Sequence, residues 1–223
     1  MSCVPGGRVD GVTLWGFYAR NLEEVLHLVG QHLYLVTVST GLAIVIGVPV
    51  GVLLTRRPAW RTPVLGVANV LQTIPSLALF GFLIPLPFIG GIGATTAIAA
   101  LVVYALLPIV RNTYTGIAGV DPAVREAGRG MGMTDWQLLA QVELPLGGGV
   151  ILAGVRVATV VSVGTATIAA AIGAGGLGVY IFRGVAVVDD TLILAGALPA
   201  ALMALAADGL LGLAERRFAW RAT

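Results

Sequence analysis

Between Leu33 and Leu54 the chain reads LYLVTVSTGLAIVIGVPVGVLL without one charged side chain, and TRRPAWR follows at once. A bilayer core about 30 Å thick takes roughly 20 residues of helix to cross, and a helix satisfies its backbone polar groups within the segment. The same kind of run recurs. Thr62 to Val110 is also uncharged and long enough for two spans, with a break expected at IPLPFIGGIG, where two prolines and three glycines fall together. The spans expected are therefore 33–54, 64–84, 92–110, 149–172 and 191–213. The runs are continuous rather than alternating, which excludes a transmembrane barrel. Composition agrees, with 57% hydrophobic and 11% charged residues against roughly 25% charged in soluble domains, and a mean hydropathy of +0.95. The expected fold class is an all-α membrane protein of five spans.

Arginine sets the sidedness. All thirteen basic residues are Arg. Arg56, Arg57 and Arg61 follow the first span, Arg111, Arg125 and Arg129 the third, and Arg216, Arg217 and Arg221 the fifth. The other side holds Arg183, Arg8 and Arg20. The positive-inside rule makes the first group cytoplasmic, so the amino terminus is expected outside and the carboxyl terminus inside. Three regions follow: an outer arm, 1–31, a membrane domain, 32–213, and a cytoplasmic tail, 214–223. In the arm, Leu14, Phe17, Leu22, Val25, Leu26 and Val29 recur at helical spacing, which predicts an amphipathic helix on the outer interface. No cleavable signal peptide is expected, because Arg8, Asp10, Arg20, Glu23 and Glu24 interrupt the first thirty residues. A lone Cys3 offers no intrachain disulfide. His27 and His32 share no helical face, so no metal site is expected, and neither is a nucleic-acid partner.

One long polar segment stands among these runs, DPAVREAGRGMGMTDWQLLAQVELP at Asp121 to Pro145. Asp121 followed by Pro122 is a helix start, and a short helix is expected over 123–129. Gly130 and Gly132 permit a sharp break. Thr134 with Gln137 has the spacing of a capping box, so a second short helix begins there, with Pro145 helping to end it. A solvated connector needs neither tight caps nor exposed Ala127, Met131, Met133 and Trp136. Small and flexible apolar side chains on a projecting loop suit docking against a partner.

This segment resembles the signature loop of the membrane subunits of bacterial ABC importers. That signature is Glu-Ala-Ala, three residues, Gly, nine residues, Ile, one residue, Leu-Pro. Here it reads Glu126-Ala127-Gly128, then Gly132, then Val142, Glu143 and Leu144-Pro145, with Gly128 in place of Ala and Val142 in place of Ile. The stretches LQTIPSLALFGFLIPL, YALLPIVRNTYTGI and GTATIAAAIGAGGLG are similar to the osmoprotectant branch, which imports quaternary-ammonium solutes such as glycine betaine, carnitine, choline and proline betaine. Methionine-importer permeases are the nearest rival. The resemblance implies the type I ABC importer permease fold in a bacterial inner membrane. It also implies a coupling loop, 121–145, that fits a groove on a cytoplasmic ATPase through Glu126, Ala127, Gly128, Met131, Gly132, Leu144 and Pro145. The partners implied are an ATPase dimer, a second permease copy or paralogue, and a separate extracytoplasmic substrate-binding protein.

The chain has no lysine and no phosphate-cradling loop ending in Lys-Ser or Lys-Thr, so this chain is expected to bind no cofactor and to be no enzyme, with ATP and Mg on the partner subunit. GAGGLG at Gly173 to Gly178 fits the dinucleotide pattern but follows a membrane span rather than a soluble strand; close helix packing or a turn at the outer face explains it better. A quaternary ammonium is recognised by aromatic faces, and aromatics in the spans are few: Tyr34, Phe80, Phe82 and Tyr104, with Phe88 in the outer loop. Tyr104 and Phe80 are candidates for the translocation path, alongside packing roles. Asn69, Gln72 and Ser76 form a polar stripe that fits either the path or a bond to a neighbouring helix. Arg156 and Asp208 suit snorkelling or mutual pairing. An ATP-independent carrier and a membrane scaffold are the readings from other classes.

Overall fold

The structure, a computed structural model, describes residues 14–87 and 89–220. Residues 1–13 of the expected N-terminal arm, Phe88 and the last three residues lie outside these. Among the described residues four helices are long and apolar enough to cross a membrane, or five if a sharply bent pair counts as one span.

A short α1, Leu14–Arg20, leads into α2, Leu22–Arg56. At about 1.5 Å per residue α2 is roughly 52 Å long, well beyond a bilayer core. The amphipathic helix expected in the arm is therefore only one short piece, α1. From Leu22 onward its residues are the first turns of the spanning helix, because nothing between Leu22 and Leu33 breaks a helix. Val25 and Leu28 turn inward and pack with Leu177 and Tyr180, whereas Leu22 and Leu26 are exposed.

A 3₁₀ turn at Pro58–Trp60 leads into α3, Arg61–Thr73, and α4, Ser76–Leu83, which meet at 101°. The straight span expected over 64–84 is thus a bent pair. The cause is local: Pro75 disfavours helix at the residue before it, and Ile74 is extended with φ −69° and ψ 126°. The break frees the Ile74 carbonyl, which accepts from the Tyr104 hydroxyl. Away from water an unpaired carbonyl is costly, so Tyr104 is the side chain that makes the bend tenable.

Three long helices form the centre of the molecule: α2, α5 (Ala94–Ala118) and α8 (Leu144–Ile168). Where α5 crosses α8, Gly116 faces Gly147, and a Cβ on either would stand 2.8 Å from backbone atoms of the other. Only paired glycines allow backbones so close, the small-residue logic of membrane helix packing. The main core lies away from this crossing, where Leu35, Phe80, Leu101, Tyr104 and Val163 pack together.

A 3₁₀ turn, Ala169–Ile172, ends α8, and a glycine-rich turn leads to α9, Gly178–Val187, an apolar helix too short to span. Sequence reading missed α9, because ten residues between a glycine-rich turn and the Val188–Asp189 turn show no complete span. In the glycine turn, Gly173, Gly175 and Gly176 have positive φ, so it is both a turn and a close contact. The last helix, α10 (Asp190–Trp220), packs on α8 and α9.

Candidate functional site

The polar projection is built by caps. Asp121 accepts from the Ala123 amide at 2.8 Å, with Pro122 in the first turn, and starts α6, Pro122–Gly130. The Met133 amide donates to the Gly128 carbonyl at 3.1 Å and the Gly132 amide to that of Arg129 at 2.9 Å. With φ +85° at Gly132, this is the Schellman arrangement that closes a helix with a left-handed glycine. The break belongs to Gly132 alone; Gly130, expected to share it, is still helical. Thr134 then accepts from the Gln137 amide at 3.3 Å while Gln137 Oε1 accepts from the Thr134 amide at 2.8 Å, a complete capping box that starts α7, Asp135–Leu138.

Pro145 does not end this second helix. The chain widens into a π turn at Leu139–Glu143 and continues without interruption into α8. A π turn takes up the register change that a proline's ring and missing N–H impose on an α-helix. The projection is therefore an extension of a spanning helix.

The residues proposed for docking sort into two groups. Glu126, Ala127, Gly132, Met131 and Pro145 are exposed, Met131 at 75%. Trp136 beside them is 72% exposed, whereas Met133 is half-buried. Gly128 is buried instead, and a Cβ there would meet Leu138 Cδ1 at 2.8 Å. Its part is to let α6 lie on α7. Leu144 packs inward with Ile117, Leu139 and Ile151. Only the first group presents a surface.

One residue that sequence reading passed over holds the projection in place. Glu143 is 0% exposed. Arg56, the last residue of α2, donates to its carboxylate through Nη2 at 2.6 Å and Nη1 at 3.3 Å, and Arg125 Nε of α6 lies 3.2 Å from Oε1. Arg125 also donates to the Ile117 carbonyl near the end of α5. The available signal was an acid placed between two apolar residues, Val142 and Leu144, where a helix re-enters the membrane. Arg111, which follows the third expected span, lines a cleft of about 240 Å³ with Arg61, Asn69 and Tyr114.

The residues considered for a solute path do not gather in one place. Phe80 and Tyr104 are buried in the main core, so neither faces open space in this chain. Asn69 is exposed on α3 and lines the arginine cleft. Gln72 donates to the Tyr104 carbonyl at 3.0 Å. Ser76 starts α4, beyond the 101° bend. The three polar residues thus do not form one helical face, because the helix assumed to carry them is broken between the second and the third. Arg156 of α8 pairs bidentately with Asp208 of α10 at 2.6 and 2.7 Å and reaches Glu215 at 3.3 Å. Such pairing lets charges persist on spanning helices.

At the end of the molecule far from the projection, Arg183 pairs with Glu24 at 2.8 Å. Near it the Gly176 amide donates to Gln31 Oε1 at 3.0 Å, and His32 Nε2 stands 3.1 Å from the Val163 carbonyl. A Cβ on Gly175 would lie 2.2 Å from Gln31 Oε1. The glycine turn therefore rests on the N-terminal part of α2. Among the described residues no group of His, Cys, Asp and Glu is placed to hold a metal ion.

Residues 43–220 match the family described as binding-protein-dependent transport system inner membrane component. The chain is 52% identical to the osmoprotectant import permease protein OsmW of Salmonella typhimurium over 86% of this chain and 90% of that protein. It is 47% identical to the carnitine transport permease protein OpuCB of Listeria monocytogenes over 90% and 91% of the two chains. A solved inward-facing structure of the methionine ABC transporter MetNI superposes with a TM-score of 0.73 at 28% identity, covering 87% of this chain and 97% of the other.

Proposed function

The chain belongs to the family of inner membrane components of binding-protein-dependent transport systems, and on that premise we propose that it is the translocating subunit of an ATP-driven importer for quaternary-ammonium compatible solutes. Glycine betaine, carnitine, choline and proline betaine are the candidate solutes. A separate cytoplasmic ATPase docks on the projection, a second permease copy or paralogue completes the path, and an extracytoplasmic binding protein delivers the solute. The membrane is the bacterial inner membrane, with the projection on its cytoplasmic side.

The observation that carries this reading is the construction of the projection. Both of its helix starts are capped, its turn is locked by a left-handed glycine, and its base is fixed by a buried carboxylate between two arginines. On that frame Ala127, Met131 and Trp136 are left exposed. A rigid element that presents small and flexible apolar groups is suited to a protein groove, because little is lost in ordering it on binding. Arg56 and Arg125 share the projection's end of the molecule, which supports a cytoplasmic location through the excess of arginine there.

Solute class rests on the curated relatives, which at 47–52% identity are osmoprotectant and carnitine permeases. The structural likeness to a methionine transporter at 28% identity supplies the second reading, a permease for a small amino acid. The deciding experiment reconstitutes the chain with its ATPase and binding protein and measures ATP-dependent uptake of labelled betaine, carnitine, choline and methionine. Uptake of the quaternary amines is expected. Uptake of methionine alone overturns the solute class, and uptake without the ATPase overturns the ATP-driven mechanism.

A further inference from the structure

A buried carboxylate between two arginines is a poor way to gain stability, because desolvating the charges offsets much of their attraction and an apolar cluster of the same volume does as well or better. What such a site supplies is register, since three side chains must meet in one geometry. Glu143 meets that description. It lies in the π turn that continues into α8, Arg125 belongs to α6 of the projection, and Arg56 is the terminal residue of α2. One carboxylate thus joins the docking element to two spanning helices, and the Arg125 bond to the Ile117 carbonyl adds the end of α5.

α2 carries this joint at one end and a second fixed point at the other. Gln31 Oε1 accepts from the Gly176 amide, and His32 Nε2 bonds the Val163 carbonyl. Both fixed points sit on one helix, Leu22–Arg56, which runs on through Pro49. They are 24 to 25 residues apart, about 36 Å of helix at 1.5 Å per residue. A displacement imposed on the projection is therefore delivered to the glycine turn at the far side along α2, as well as directly through α8.

We infer that Glu143 is a positioning residue whose ion pair with Arg56 makes α2 part of the unit moved by the docked ATPase, so that the inner joint and the outer glycine turn shift together. The inference rests on the docking reading above, and it predicts a defect in coupling rather than in assembly. The carboxylate touches neither nucleotide nor solute; its effect is to keep α2 in register with α6.

The test uses the reconstituted complex of permease, ATPase and binding protein, with glycine betaine as the solute. Arg56→Gln removes the α2 arm while leaving Arg125 to pair with Glu143, so it is milder than Glu143→Gln, which leaves two guanidinium groups facing each other. Both variants are expected to retain the ATPase on co-purification and to hydrolyse ATP. Uptake per ATP is expected to fall about tenfold, within the 5- to 150-fold range of allosteric coupling. Arg56→Lys is expected to restore most of the ratio. Native uptake per ATP in Arg56→Gln overturns the inference, and so does a loss of uptake that only follows a loss of thermal stability or of bound ATPase. If Glu143→Gln cannot be recovered from membranes, Arg56→Gln and its Lys counterpart decide alone. Met131→Arg, on the exposed docking face, separates the two readings. It is expected to release the ATPase, and if it does not, the docking reading fails, whatever the Arg56 variants do.

Discussion

Three residues carry more of this molecule than their chemistry suggests. Gly132 holds φ +85°, a conformation that costs an L-residue about 1–2 kcal/mol. Gly132→Ala is therefore expected to destabilise the projection by roughly 1 kcal/mol, read as faster amide exchange at Met133 and across α7. Thr134 gives half of the capping box, and Thr134→Ala is expected to cost about 1 kcal/mol in the same measurement. Tyr104 satisfies the carbonyl freed at Ile74. Tyr104→Phe leaves that carbonyl unpaired, at about 1–3 kcal/mol, and is expected to lower the thermal midpoint of the purified subunit. Native stability in Tyr104→Phe would return Tyr104 to the list of path residues.

At the scale of elements, the α5–α8 crossing sets how the membrane domain closes. Gly147→Val would place its Cβ 2.8 Å from the Gly116 backbone, and backbone cannot yield as a side chain does. Overpacking of this kind costs about 1–3 kcal/mol, and the expected outcome is a sharp drop in folded, monodisperse protein after extraction. Val150→Ala, one turn on and exposed, is expected to extract like the native chain. The legibility of the elements follows the range of the interactions behind them. Asp121, Pro122, Gly132, Thr134 and Gln137 act within a few residues of themselves, so the start of α6, its end and the start of α7 could all be read from the sequence. Pro75 acts locally too, yet the bend it makes depends on a distant hydroxyl at Tyr104, and the span looked straight. Pro145 was read as an end because proline usually is one; a π turn, which no composition signals, carries the helix through it. Glu143 was visible as a letter inside Val142-Glu143-Leu144, but its partners stand 18 and 87 positions away.

For the whole molecule, the central helices connect two opposite ends. One end carries the projection and the Arg56–Glu143–Arg125 joint, the other the Arg183–Glu24 pair and the glycine turn resting on Gln31. The overall plan was legible because a bilayer demands long uncharged runs, and few folds satisfy that demand. The path was not, since Asn69, Gln72 and Ser76 are separated by the bend, and Phe80 and Tyr104 serve the core. On the proposed function, a chain with this plan transmits movement from a motor docked at one end to the other. Its central claim is that the projection is a cytoplasmic docking element. The most direct measurement is labelling of a single cysteine, Met131→Cys in a Cys3→Ser background, with a membrane-impermeant thiol reagent. The account predicts labelling in inside-out vesicles only, and protection when the ATPase subunit is bound. Labelling in right-side-out vesicles, or full reactivity with the ATPase bound, would contradict it.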